Sequence, residues 1–126
     1  MSYQIFISHD HKDAELARDL ARRLKEAGAR VFVLIDEVSV GANIRSSINR
    51  ALREADEVVI LLTDNSANNS NIMYELGVAD SLDKRVTPVI VNEGVEQRLP
   101  MIGRHFIRYA ELPKYISALK RRVKAA

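Results

Sequence analysis

The run Val58-Val59-Ile60-Leu61-Leu62 is apolar at every position, with Glu57 before it and Thr63-Asp64 after it. A strand with one wet face alternates apolar and polar residues, because successive side chains point to opposite sides. A strand with no polar position along this stretch must be covered on both faces, which is the condition of an inner strand in a parallel sheet. Parallel neighbours cannot be joined by tight turns and need crossover segments, usually helices. The rest of the chain supplies them, since short apolar runs alternate with longer segments of helical period.

The spacing predicts a first strand over Gln4–Ser8 and a helix over residues 12–27. That helix places Ala17, Leu20, Ala21 and Leu24 on one face, and Gly28 stops it. A second strand is expected over 30–35, followed by a loop over 36–42 with its single glycine at Gly41. Residues 43–55 then read as an amphipathic helix, with Ile44, Ile48, Ala51, Leu52 and Ala55 on one face. The central strand is expected over 57–63, a polar loop over 64–70, a third helix over 71–82 and a fourth strand over 85–91. Gly94 and Pro100 argue against a long helix in 92–103. A short edge strand over 106–109 and a last helix over 112–123, packing Tyr115, Ile116, Leu119 and Val123, complete the chain.

Five parallel strands with intervening helices predict one α/β domain over 1–126, a flavodoxin-like three-layer sandwich with strand order 2-1-3-4-5. Such sheets bind ligands beyond the carboxyl ends of their strands, at the switch point between the first and third. Three places then matter: Ser8-His9-Asp10-His11, Asp36-Glu37, and the start of the helix that carries Glu75. Ser8 and His9 end the strand beside the switch point and are expected to line a pocket there. Read alone, Glu75 complements the positive end of its helix, an effect of about 0.3–1 kcal/mol.

Composition removes several function classes. The chain has 126 residues, 47% hydrophobic and 29% charged, which suits one folded core and not a disordered segment. It has no cysteine, hence no disulfide, thiol nucleophile or thiolate metal site. The net charge is only +2, and Lys114, Lys120, Arg121, Arg122 and Lys124 read as the solvated face of the last helix. Basic residues are not interleaved with aromatics, so no nucleic-acid partner is expected. The chain enters its first strand directly and no apolar run approaches the ~20 residues of a membrane span, so neither a signal peptide nor a membrane partner is expected and the expected location is cytoplasmic. Neither a Walker pattern nor Gly-x-Gly-x-x-Gly is present. His9, His11, Asp10 and Asp13 lie together but read better as caps at a helix start, and no metal site is expected. A phospho-receiver domain would share the topology, with Asp64 as its acceptor. Ser8-His9-Asp10 gives it no acidic pair after the first strand, and Tyr109-Ala110-Glu111 gives no lysine after the fifth.

Tyr3-Gln4-Ile5-Phe6-Ile7-Ser8-His9 resembles the first conserved box of Toll/interleukin-1 receptor (TIR) domains, in which an aromatic-rich strand ends in Phe-Ile-Ser-His or Phe-Ile-Ser-Tyr. Asp36-Glu37, leading to Gly41 and an amphipathic helix, resembles the second box, the BB loop. The sequence from Val58 through Asn71 to Glu75 and Leu76 is similar to the strand, loop and helix that carry the catalytic glutamate of NAD+-cleaving members. The resemblance runs nearly the whole chain, in order, and is closest to bacterial and archaeal members. Many catalytic members place a tryptophan four residues before the glutamate; here that position is Asn71, which still shares a helix face with Glu75. Asn71 can hydrogen-bond a ribose or an amide but supplies no aromatic wall.

The resemblance implies an NAD+ nucleosidase with Glu75 as the catalytic residue and Ser8, His9, Asp36 and Asn71 at the substrate. NAD+ would be its substrate, with no further cofactor, and nicotinamide plus ADP-ribose or a cyclic ADP-ribose its products, in nucleotide signalling or defence. It also implies head-to-tail or homotypic assembly with other TIR domains through the loop 36–42, with Glu37, Val38, Val40 and Gly41 as contacts. The chemistry is consistent with one carboxylate. Nicotinamide is already a cationic leaving group, and the transition state has oxocarbenium character that a fixed negative charge stabilises. Two other readings stay open: a non-catalytic TIR interaction module, and a nucleoside deoxyribosyltransferase-like enzyme whose helix-borne glutamate becomes a covalent nucleophile.

Overall fold

The computed structural model describes residues 2–34, 41–98 and 105–126, with backbone alone for 41–44. Five strands, β1 (Gln4–Ser8), β2 (Arg30–Val33), β3 (Glu57–Leu62), β4 (Arg85–Ile90) and β5 (Ile107–Arg108), pair in parallel in the order β2-β1-β3-β4-β5. The helices α1 (Ala14–Glu26), α2 (Gly41–Glu54), α3 (Ser70–Ser81) and α4 (Leu112–Ala125) lie around the sheet. This is the flavodoxin-like sandwich expected from the apolar pattern.

Strand parity sorts the core into two layers. Val59 and Leu61 of β3 pack with Ile5 and Ile7 of β1 against Leu20 and Leu24 of α1 and Leu119 of α4. Val58, Ile60 and Leu62 pack with Phe6 against Leu52 of α2 and Ile72 and Leu76 of α3. Each fully buried aliphatic side chain contributes about 1.5–3 kcal/mol, and every side chain of β3 is buried. Ser8 lies two residues beyond Phe6 and so faces the α2/α3 layer. Parity alone thus directs its hydroxyl toward the helix that bears Glu75.

Element ends differ from the expected ones for local reasons. The helix expected from Lys12 starts at Ala14, because Asp10 Oδ1 accepts from the Lys12 amide at 2.9 Å and tightens His11–Asp13 into a 3-10 turn. Gly41, expected in the loop 36–42, is instead the first residue of α2, a position where glycine is tolerated. The central strand stops at Leu62, since Thr63 turns to cap Asp64–Ser66 and its Oγ1 accepts from the Asn65 amide at 3.0 Å. The edge strand is only Ile107–Arg108, as Tyr109–Glu111 already turns into α4. The second strand ends at Val33, and Ile35 lies outside the described residues.

Gly28 does close α1. The Gly28 amide bonds the Lys25 carbonyl at 2.9 Å and the Ala29 amide the Leu24 carbonyl at 3.2 Å, the paired bonds of a Schellman motif. Its φ is +103°, and a Cβ there would stand 2.9 Å from Val123 Cγ1 of α4. Gly28→Ala is expected to cost about 1–2 kcal/mol, the left-handed penalty for an L-residue, read as a lower urea midpoint at unchanged slope. An unchanged midpoint would show that the turn relaxes without strain.

The amino ends of the strands hold a feature with no sequence warning. Glu57, the first residue of β3, is 0% exposed. Its Oε1 accepts from Tyr3 Oη at 2.8 Å and Arg122 Nη2 at 2.9 Å, and its Oε2 from Thr87 Oγ1 and Tyr115 Oη, both at 2.6 Å. Arg122 therefore leaves the solvated face expected of the last helix and turns inward, with its side chain only 23% exposed. Burial, then the Glu57 charge, pushes the Tyr3 phenol up to about 12 and the Tyr115 phenol higher still. Both tyrosines are thereby held as hydrogen-bond donors.

Candidate functional site

At the opposite, carboxyl ends of the strands, Ser8 closes β1 and is 1% exposed. Its Oγ donates to Glu75 Oε1 at 2.5 Å. Glu75 sits in the second turn of α3 and is partly buried. The helix starts where it does because Asn69 Oδ1 accepts from the Ile72 amide at 3.0 Å, a side-chain N-cap.

Two acids tie the turn that follows Ser8 to the turn that precedes the helix of Glu75. Asp10 Oδ2 accepts from Asn69 Nδ2 at 2.8 Å. Asp13 accepts from Thr63 Oγ1 at 2.6 Å and from Asn65 Nδ2 at 2.9 Å. The turn after β1 is thus stitched to the turn after β3. Burial alone would raise the Asp10 carboxyl, but the Lys12 and Asn69 hydrogen bonds outweigh it and hold the group below the usual range. Among the described residues no group of three or more His, Asp or Glu side chains could hold a metal ion. His9 is partly buried, with Nδ1 2.9 Å from the Asp10 carbonyl. Burial pulls it below the ordinary imidazole range despite Asp13 and Asp10, which favours the neutral ring.

Burial pushes the Glu75 carboxyl upward, and neither the Ser8 hydrogen bond nor the Arg45 charge fully offsets it. A carboxyl raised on folding binds more protons folded than unfolded between its two pKa values. Its stabilising contribution is then complete below the unfolded pKa and lost as pH rises through the folded one. Glu75→Gln is accordingly expected to match or exceed wild type in thermal stability at about pH 8, with the difference shrinking toward about pH 4. A variant clearly less stable at the higher pH would place Glu75 among the structural acids instead.

The residues beside Glu75 join α2 to α3. Tyr74 is 40% exposed, and the Arg45 guanidinium lies 4.6 Å from its ring centroid. The Tyr74 hydroxyl donates to Asn49 Oδ1 at 3.0 Å, so α2 and α3 are clasped beside Glu75. Arg45 reads from sequence as one of three solvent-facing arginines with Arg50 and Arg53; it is exposed but engaged. Nothing local in the sequence links it to Tyr74.

Of the sequence-derived residues, the structure brings Ser8 and Glu75 together and sets His9 next in the chain. Asn71 is exposed, one turn before Glu75 on α3. Asp36, Glu37, Val38 and Val40 lie outside the described residues, and Gly41 opens α2. Asp64, the acceptor in a receiver reading, is exposed and paired with Arg98 at 2.6 Å. The arrangement can hold a negative charge in a partly desolvated spot and orient it with a hydroxyl donor. That suits stabilising a developing cation or gripping sugar hydroxyls.

The sequence model of the TIR domain matches residues 5–122. A probable 2' cyclic ADP-D-ribose synthase, TcpO, of Methanobrevibacter olleyae is 26% identical over 98 residues, covering 75% of this chain and 29% of that protein. The NAD(+) hydrolase TcpC of Escherichia coli is 32% identical over 84 residues, covering 66% of this chain and 26% of that protein. The chain spans less than a third of the length of these curated relatives. The crystal structure of the TIR domain of the Toll-related receptor TRR-2 from Hydra magnipapillata superposes with a TM-score of 0.77 at 17% identity, covering 98% of this chain and 99% of that one.

Proposed function

The chain belongs to the TIR-domain family, and from that premise we propose that it is an NAD+ nucleosidase in which Glu75 stabilises the ribosyl cation that develops as nicotinamide departs. The observation that carries the reading is the Ser8–Glu75 contact of 2.5 Å at the carboxyl ends of the strands. Relatives named as NAD+ hydrolase and cyclic ADP-ribose synthase support it.

In the proposed reaction the bond between the ribose C1′ and the nicotinamide nitrogen breaks, and its electron pair leaves with neutral nicotinamide. Water then attacks C1′ and loses a proton to solvent, giving ADP-ribose. Attack by a group of the same molecule would give a cyclic product instead. The carboxylate forms no bond in either route; it offsets charge and holds the ribose hydroxyls, with Ser8 fixing its direction and His9 and Asn71 at the rim. Asp36 belongs to this substrate set, and Glu37, Val38, Val40 and Gly41 to self-association or assembly with other TIR domains through the loop 36–42. A cytoplasmic role in nucleotide signalling or defence goes with the reading.

Product analysis of NAD+ incubated with purified protein over a concentration series tests it. Nicotinamide is expected together with ADP-ribose or a cyclic isomer, with a steeper than linear dependence on protein if assembly gates the site. No nicotinamide at any concentration would leave the interaction-module reading, which the exposed, non-aromatic Asn71 favours.

A further inference from the structure

We propose that Arg45 binds the diphosphate of the dinucleotide, held in place for it by the ring of Tyr74; this rests on the NAD+-cleaving reading of Glu75. A carboxylate that grips the nicotinamide ribose sits close to two phosphates, because the diphosphate is joined to that same sugar at its 5′ carbon. Without a cation nearby, the negative group that helps the chemistry would repel the substrate that needs it.

Arg45 answers that requirement by position. It lies on α2 with its guanidinium 4.6 Å from the Tyr74 ring centroid, and Tyr74 immediately precedes Glu75 on α3. No carboxylate among the described residues is ion-paired with it. An arginine held over a ring keeps its planar set of N–H donors for oxygen acceptors, and such forks match phosphate geometry. The ring itself is fixed, since the Tyr74 hydroxyl donates to Asn49 Oδ1 at 3.0 Å. Asn49 is one turn beyond Arg45 on α2, so a single helix carries both the cation and the acceptor that orients its platform. The positive charge also draws the Glu75 carboxyl back down, against burial.

The alternative is a clasp that only joins α2 to α3. Steady-state kinetics with NAD+ and with nicotinamide riboside, which has no phosphate, separate the two at a pH well above the titration of Glu75. Arg45→Ala is expected to raise KM for NAD+ by about 10-fold or more with kcat changed by less than about 3-fold, while nicotinamide riboside is affected less than about 2-fold. Tyr74→Ala should act in the same direction as a positioning change. The double variant should be no worse than Arg45→Ala alone, because both remove one unit. An unchanged KM for NAD+, or an equal rise for nicotinamide riboside, would overturn the proposal. Calorimetric titration with ADP-ribose decides the matter even for a protein that turns over no NAD+, an outcome that would sink the nucleosidase reading separately. Weaker binding to Arg45→Ala than to wild type supports the anion site; equal binding, or none to wild type, overturns it.

Discussion

Glu75→Gln is expected to lower the rate of nicotinamide release from NAD+ by about 100- to 1000-fold, the usual cost of removing one preorganised electrostatic stabiliser. Glutamine keeps the volume of the side chain and an oxygen that can still accept from Ser8, so the change is close to a deletion of charge. The loss should fall on kcat more than on KM, because the charge matters most when the ribosyl cation develops. Ser8→Ala should cost less, since it leaves the carboxylate in place and removes only the donor 2.5 Å from Oε1. If Glu75→Gln and Ser8→Ala were equally harmful, the hydroxyl and the acid would have to be regarded as one hydrogen-bonded unit, not as a charge with its support.

The second large effect lies at the other end of the sheet and concerns stability. Arg122→Ala removes the cationic partner of Glu57, which is 0% exposed in the native protein. Removing one member of a buried ion pair costs about 3–5 kcal/mol. The low end applies, because the Arg122 side chain keeps 23% exposure and water can partly replace it. For a chain of this size a loss of about 3 kcal/mol corresponds to a fall in Tm of about 10 °C. Tyr3, Thr87 and Tyr115 still donate to the carboxylate, so the variant should fold. Adding Glu57→Gln should restore part of the loss, as the uncompensated charge goes with it. A Tm within about 2 °C of wild type for Arg122→Ala would mean that the three neutral donors satisfy Glu57 unaided.

The two ends of the sheet also show what a sequence can and cannot convey. Val58 to Leu62 announced a buried parallel strand because periodicity is a local property, and Gly28 announced a helix end for the same reason. The meeting of Ser8 with Glu75 follows from topology, since strand order and side-chain parity place both at the carboxyl edge of the sheet. Glu57 was illegible: its partners come from positions 3, 87, 115 and 122, and no local pattern marks a strand-opening acid as buried. Arg122 accordingly reads from sequence as solvated, being one basic residue among several on an amphipathic helix, whereas its guanidinium donates to Glu57. Arg45 and Tyr74 belong to the same class, since a contact between two helices leaves no trace in the periodicity of either.

In the proposed reaction one partly buried carboxylate at the carboxyl edge of the sheet drives loss of nicotinamide from the ribose. The decisive measurement is the initial rate of nicotinamide release by wild type and Glu75→Gln at equal protein concentration, with thermal melts confirming that both are folded. Release by wild type and near-complete loss in the variant is the predicted result. Equal release from two folded proteins would contradict it.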